Sequence, residues 1–258
     1  MSDRLLSFEA IENFRDFGGY RGRYGDVRRG VLFRSGQLSR ASDTDLMALA
    51  DLNLSDVVDL RRSSERAKQP DRLPEGWAGR MISTDIGGDG EAPHIQFLKS
   101  GALTEETGRD YMANTYRRMT FDPAHVALFR DWFDALAQAP SALLVHCAAG
   151  KDRTGLLCAL TQTVLGVEED DILADYMATN QAVDLEGRAG DLALKLEKVT
   201  GRPVSHEAVV AFLGVRADFL HGAFEAIRKE AGTVERYLSE ALGVDAARRQ
   251  MILSHLVI

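Results

Sequence analysis

The chain is short of cysteine, of positive charge and of long apolar runs, and each shortage excludes something. Two of its 258 residues, Cys147 and Cys158, are cysteines. That is too few for a disulfide framework and consistent with a reducing compartment. No apolar stretch approaches the roughly 20 residues that cross a bilayer, so stable membrane insertion is not expected. The opening Met1-Ser2-Asp3-Arg4 lacks the basic, then apolar, then small-residue pattern of a signal peptide. Cytoplasmic residence is therefore the default expectation, with export by a signal-independent route left open. Lysine and arginine number 31 against 39 aspartates and glutamates, a net charge of −8. This balance disfavours a broad nucleic-acid or anionic-membrane surface, yet leaves room for a local positive pocket. Internal repeats and low-complexity segments are also absent. With 45% hydrophobic and 27% charged residues, the chain has the composition of an ordinary soluble globular protein.

What is present centres on one stretch. The apolar run Ala142-Leu143-Leu144-Val145 leads into His146-Cys147-Ala148-Ala149-Gly150-Lys151-Asp152-Arg153-Thr154-Gly155, and Leu156-Leu157-Cys158-Ala159-Leu160 leaves it. A short apolar run, a glycine-containing turn and a longer apolar segment read as buried strand, loop and helix. Free N–H groups and the positive end of the helix dipole then favour an anion in the loop, and favour thiolate over thiol. The thiolate of Cys147 can attack phosphorus in line and leave again. Arg153 offers a planar fork for two phosphoryl oxygens. Ala148, Ala149 and Gly150 let consecutive N–H groups face one phosphate or other oxyanion. Thr154 can donate its hydroxyl to the Cys147 sulfur, and Lys151 reads as a second cation for a multiply phosphorylated substrate. His146 more plausibly orients the loop than reacts, and Cys158 reads as a small buried hydrophobe. The scheme requires no metal and no cofactor.

Periodicity places this loop in an α/β fold with a central, largely parallel sheet flanked by helices. Strands are expected at 6–12, 31–34, 57–60, near 79–84 and at 142–146. An Arg15-Asp16 ion pair is expected beside the Gly18-Gly19 turn. Ser42 caps a helix at 43–52, a polar connection covers 65–76, and further helices fill 105–119 and 122–138. The acidic, glycine-rich stretch from Asp85 to Gly90 is expected to be mobile. Beyond Arg153 only helical patterns occur, at 184–199, 206–213, 216–230, 233–241 and 245–256. We expect one domain over 1–258, with an α/β core to 166 and a helical elaboration over 167–258. In open α/β sheets functional residues gather at the carboxyl ends of strands, which adds Asp59 and Arg34 to the expected substrate-binding residues.

Protonation of a leaving group needs an acid, and no Trp-Pro-Asp sequence exists: the tryptophans lie in Gly76-Trp77-Ala78 and Asp131-Trp132-Phe133. Asp152, Asp59 and Asp85 are the candidates, with Asp152 first because it is covalently held in the loop. The reading is a phosphate-monoester hydrolase. A rhodanese-like sulfurtransferase and a non-catalytic phosphate-binding module are the alternatives.

From His146 to Gly155 the sequence resembles the cysteine-dependent protein tyrosine phosphatases. The likeness is greatest to the atypical bacterial branch that includes a secreted mycobacterial tyrosine and lipid phosphatase. Asn13-Phe14-Arg15-Asp16-Phe17-Gly18-Gly19, Phe33-Arg34-Ser35-Gly36, Asp59-Leu60-Arg61 with Glu65, Ala174-Asp175-Tyr176 with Asn180, and Gly214-Val215-Arg216-Ala217-Asp218-Phe219-Leu220 extend it over nearly the whole chain. The resemblance implies Cys147 as nucleophile, Arg153 as phosphate clamp, Asp152 as acid, and Lys151 with Asp152 as the pair marking the branch. It implies phosphotyrosine as substrate, with phosphoserine, phosphothreonine and phosphoinositides beside it. A helical lid over the site follows too, for which 184–213 is the candidate. Phe219 stands where the branch usually has tyrosine.

Overall fold

Ala142 to Val145 are buried at every position, as a strand covered on both faces must be, and the sheet is built outward from them. The computed structural model describes residues 4–85, 91–138 and 141–258; of the stretch from Asp85 to Gly90, expected to be mobile, residues 86–90 lie outside these. The strands are β1 (Arg15–Asp16), β2 (Arg21–Gly22), β3 (Gly25–Asp26), β4 (Leu32–Ser35), β5 (Leu54–Asp59), β6 (Arg80–Ile82) and β7 (Ala142–His146). The helices are α1 (Asp43–Asp51), α2 (Ser63–Lys68), α3 (Pro93–Ser100), α4 (Glu105–Met119), α5 (Pro123–Ala137) and α6 (Asp152–Val164). They continue as α7 (Glu169–Ala182), α8 (Leu185–Thr200), α9 (His206–Leu213), α10 (Ala217–Ala231), α11 (Val234–Glu240) and α12 (Ala246–Leu256). The main sheet runs β1-β4-β7-β5-β6. All its pairings are parallel except that of β1 with β4, so the α/β architecture with a largely parallel centre is what the sequence led us to expect.

Alternation along β7 divides the interior. Leu143 and Val145 join the larger apolar cluster, and Ala142 and Leu144 join a smaller one with Ile11, Phe14, Leu49 and Val57. The larger cluster extends from Phe17 through Trp132 and Leu157 to Phe219 and Leu256. The helices after residue 166 therefore share one core with the sheet. Val27 bridges to Val257 and Gly22 to Val167, tying the C-terminal helices to the N-terminal strands.

Three local expectations change. Residues 6–12 form no strand, because Glu9 and Ala10 give their N–H groups to the buried Asp45 carboxylate (2.7 and 3.0 Å) instead of to a ladder. Asp45 also accepts the Ser42 N–H (3.1 Å) while its own N–H is capped by Ser42 Oγ (3.1 Å), a reciprocal cap on α1. The 65–76 connection begins inside α2, since Glu65 in its first turn accepts the Arg62 N–H (2.7 Å). A helix, α3, forms where none was expected, with proline at its first position, where proline's missing donor is not needed.

Asp45 thus holds three backbone donors from two segments. Asp45→Ala should lower unfolding free energy by about 3 kcal/mol, the scale of stranding such donors, with an unchanged urea m-value. A loss below about 0.5 kcal/mol would show that the strap does not matter.

Candidate active site

The carboxyl ends of β4, β5 and β7 converge, and the segment between β7 and α6 is clamped there. Leu60 donates to His146 O (2.8 Å), so Cys147, 2% exposed, starts the loop at its floor. Gln37 N donates to Ala148 O (3.1 Å), Asn13 Nδ2 to Ala149 O (3.2 Å) and Gly150 O (2.8 Å), and Arg34 Nη2 to Gly150 O (3.0 Å). In a planar trans peptide the N–H points opposite to the C=O. Drawing three successive carbonyls outward therefore turns the N–H groups of Ala149, Gly150 and Lys151 to the other side, which makes an anion nest. Gly150 has φ +66°, and a Cβ there would lie 2.3 Å from Ser35 O; only glycine fits.

Behind the loop lies a buried ionic network. Asp175 on α7 accepts from Arg15 Nε at Oδ1 (3.3 Å) and from Arg34 Nη1 at Oδ2 (2.8 Å). Arg15 reaches further to Asp175 O and Thr179 Oγ1 (3.0 Å each) and to Asn13 Oδ1. Burial alone would push the Asp175 carboxyl up, but Arg15 and Arg34 hold it below its ordinary value. Two expectations are corrected here. Arg15 pairs with Asp175, not with Asp16, whose carboxylate instead accepts the N–H groups of Gly18 and Gly30 (2.8 Å each). Arg34 is fully buried and braces the loop from behind, where no solvent-borne substrate reaches it.

Arg153, at the start of α6, is held from the β5 side. Its Nη1 donates to Leu60 O (2.9 Å) and Glu65 Oε2 (2.7 Å), and its Nη2 to Glu65 Oε1 (3.1 Å). Burial works against its charge, but the neighbouring Cys147 and Glu65 keep the guanidinium firmly protonated. Asp59 is likewise a brace: buried, it takes Arg61 Nε (2.9 Å) and Nη2 (2.8 Å), which removes it from both the substrate and the acid roles. Asp71 accepts Arg61 Nη2 as well (2.6 Å) and lies 3.3 Å from His146 Nε2. Asp59, Asp71 and His146 gather closely enough to suggest a metal, but the Arg61 guanidinium already fills the two carboxylates. Asp85 is exposed and bound to Ser63 Oγ (2.8 Å), at the surface beyond α2. Thr154 Oγ1 is buried without a partner, so its expected donation to Cys147 is not made in this structure.

Lys151 departs most from expectation. Its Nζ donates to Leu213 O (2.8 Å), Phe212 O (3.3 Å) and Gly214 O (3.3 Å). An ammonium has three donors, and all three cap the C-terminal end of α9, where a cation complements the helix dipole. None is left for a substrate phosphate. Asp152 Oδ2 lies 3.5 Å from the same nitrogen, and Asp152 Oδ1 accepts from Tyr116 OH (3.0 Å). Asp152 is the candidate acid that sits in the loop and stays partly open, 22% exposed. Segment 184–213, the expected lid, comprises α8 and α9, packed with α3, α4 and α7.

Sequence reading carries Asn13, Glu65 and Asp175 only as positions of resemblance, without roles, and finds neither Asp71 nor Tyr116. A lone tyrosine in an amphipathic helix gives no signal of the carboxylate it will meet 36 residues away.

Residues 6–258 match the tyrosine phosphatase family. A candidate tyrosine-protein phosphatase of Cupriavidus necator is 35% identical, covering 94% of this chain and 86% of that one. The triple-specificity protein phosphatase PtpB of Mycobacterium tuberculosis is 32% identical over 83% of this chain and 87% of its own. A tyrosine-protein phosphatase of Nostoc commune is 28% identical over 85% and 71%.

Because its ammonium is spent on α9, Lys151→Met should reduce kcat/KM on a phosphotyrosine peptide and on a phosphoinositide by the same factor, within about twofold. A loss at least ~10-fold larger on the phosphoinositide, the scale of one charge-assisted hydrogen bond, would restore the lysine as a substrate contact.

Proposed function

This chain belongs to the tyrosine phosphatase family, and on that premise we propose that it hydrolyses phosphotyrosine, and phosphoserine, phosphothreonine and phosphoinositide esters beside it, through a phosphocysteine intermediate. The observation carrying this reading is the clamped loop: Cys147 at its floor, three N–H groups turned inward, and Arg153 fixed by Glu65. In the first step Cys147 Sγ attacks phosphorus, the S–P bond forms, and the bond from phosphorus to the ester oxygen breaks. Asp152 gives its proton to that departing oxygen. In the second step a water oxygen attacks phosphorus, the S–P bond breaks, and Asp152 takes back a proton from the water. Arg153 and the inward N–H groups hold the equatorial oxygens throughout, where charge accumulates. No cofactor enters either step.

The wider substrate range rests on two supports. One is the relative named for triple specificity. The other is Arg62, whose N–H shares the Glu65 Oε2 atom with Arg153 and whose Nε is buried without a partner. Tied to Arg153 through this shared carboxylate, Arg62 is our choice of cation for a second phosphate, the role that sequence reading gives to Lys151. Nothing in the site favours sulfur transfer.

Cys147→Ser should lower turnover of p-nitrophenyl phosphate by at least ~10³-fold while inorganic phosphate still binds; wild-type turnover in that variant would end the mechanism. Arg62→Gln should reduce phosphoinositide kcat/KM about 10-fold more than phosphotyrosine kcat/KM, the scale of one charge-assisted contact. Equal losses would leave the second-phosphate reading without its cation.

A further inference from the structure

Adjacent residues of α7 reach the catalytic loop at two points by separate routes. Asp175 acts through Arg34 on Gly150 O, while Tyr176 acts through Tyr116 on Asp152. Tyr176 OH lies 2.7 Å from Tyr116 OH, and Tyr116 OH lies 3.0 Å from Asp152 Oδ1. Both phenols are fully buried, with the rings edge-to-face at 84°. Gly155 of α6 admits the Tyr176 ring, since a Cβ there would stand 2.9 Å from its Cδ2.

The direction of this relay runs toward the carboxylate. Tyr176 OH donates to Tyr116 OH, and Tyr116 has a single proton to give, which goes to Asp152 Oδ1. Burial and the Asp152 charge push Tyr116 well above the usual phenol range, so it remains a donor at every working pH.

We propose that Tyr116, set by Tyr176, is a positioning residue for the acid: its hydroxyl occupies Asp152 Oδ1, so the proton passed to the leaving oxygen is carried on Oδ2. The relay fixes both the rotamer of Asp152 and the oxygen that bears the proton. Without it the proton is shared between two oxygens and the carboxyl turns more freely. The proposal rests on Asp152 being the acid, as proposed above.

The test is the dependence of kcat/KM on leaving group across aryl phosphates from p-nitrophenyl to phenyl, since kcat/KM reports formation of the phosphocysteine. An activated ester needs little protonation and an unactivated one needs it fully. Asp152→Asn sets the reference, falling ~10²-fold or more with phenyl phosphate and far less with p-nitrophenyl phosphate. Tyr116→Phe should fall between wild type and that reference, about 10-fold with phenyl and about twofold with p-nitrophenyl phosphate, a fraction of the acid's own effect. Tyr176→Phe, which keeps the ring and leaves the Tyr116–Asp152 bond, should change in the same sense by about threefold, and it serves if Tyr116→Phe does not fold. The Tyr116→Phe/Asp152→Asn double variant should be no steeper than Asp152→Asn alone. If Asp152→Asn is steep while both tyrosine variants follow the wild-type slope, or lose equally on all esters, the relay is overturned and the acid stands. If Asp152→Asn itself is not steep, the acid assignment fails and the relay with it.

Discussion

A carboxylate between two arginines, all three out of water, is the constraint on which the catalytic loop depends. Asp175 is 2% exposed, Arg15 3% and Arg34 0%. Ionised groups at such depth persist only when paired and hydrogen-bonded, and removing one partner from a buried pair typically costs 3–5 kcal/mol because a charge is stranded. That penalty keeps Arg34 on Gly150 O and, through Arg15, keeps Asn13 on Ala149 O and Gly150 O. Holding the carbonyls outward is what turns the N–H groups inward. The anion nest is thus a consequence of a salt bridge that no substrate touches.

Two acidic residues divide the support of the site. Asp175 works behind the loop through Arg34, and Glu65 works on the open side, gripping Arg153 with both oxygens and Arg62 by its N–H. A pair of further carboxylates, Asp59 and Asp71, is consumed by Arg61 and holds the β5 end in place. Most of the charged residues that sequence reading gathers around the loop therefore act on one another. The positive character of the loop in a chain of net charge −8 comes from Arg153 and the oriented N–H groups.

The helices after residue 166 belong to this arrangement and are not an appendage to it. α7 carries Asp175 and Tyr176 side by side, and the C-terminal end of α9 with Gly214 presents three carbonyls to Lys151. Asn180 exchanges two hydrogen bonds with the Val215 backbone (2.8 and 2.9 Å), which fixes that segment against α7. Chain beyond the loop thereby controls the loop's backbone, its lysine and its aspartate, although the loop's own residues carry the chemistry.

The chemistry was legible from the sequence because it is local. Cysteine, five residues and arginine between an apolar strand and a helix make an anion site wherever they occur, since strand, turn and helix dipole are short-range properties of that stretch. Burial of β7 on both faces, the Ser42 cap and the helices from 184 onward were legible for the same reason, as each is written in spacing. The N-terminal segment was not, because Glu9 and Ala10 spend their N–H groups on Asp45, 35 and 36 residues away. Nor were the partners of the charges. Arg15 lies next to Asp16 in the chain yet bonds Asp175, and Lys151 lies in an oxyanion loop yet caps a helix some 60 residues later. A charge takes whichever opposite dipole the packing brings within about 3 Å at least cost in desolvation, and sequence neighbourhood does not report that distance. The residues proposed to react are those the sequence alone singles out; which residues aim them was decided by the tertiary structure.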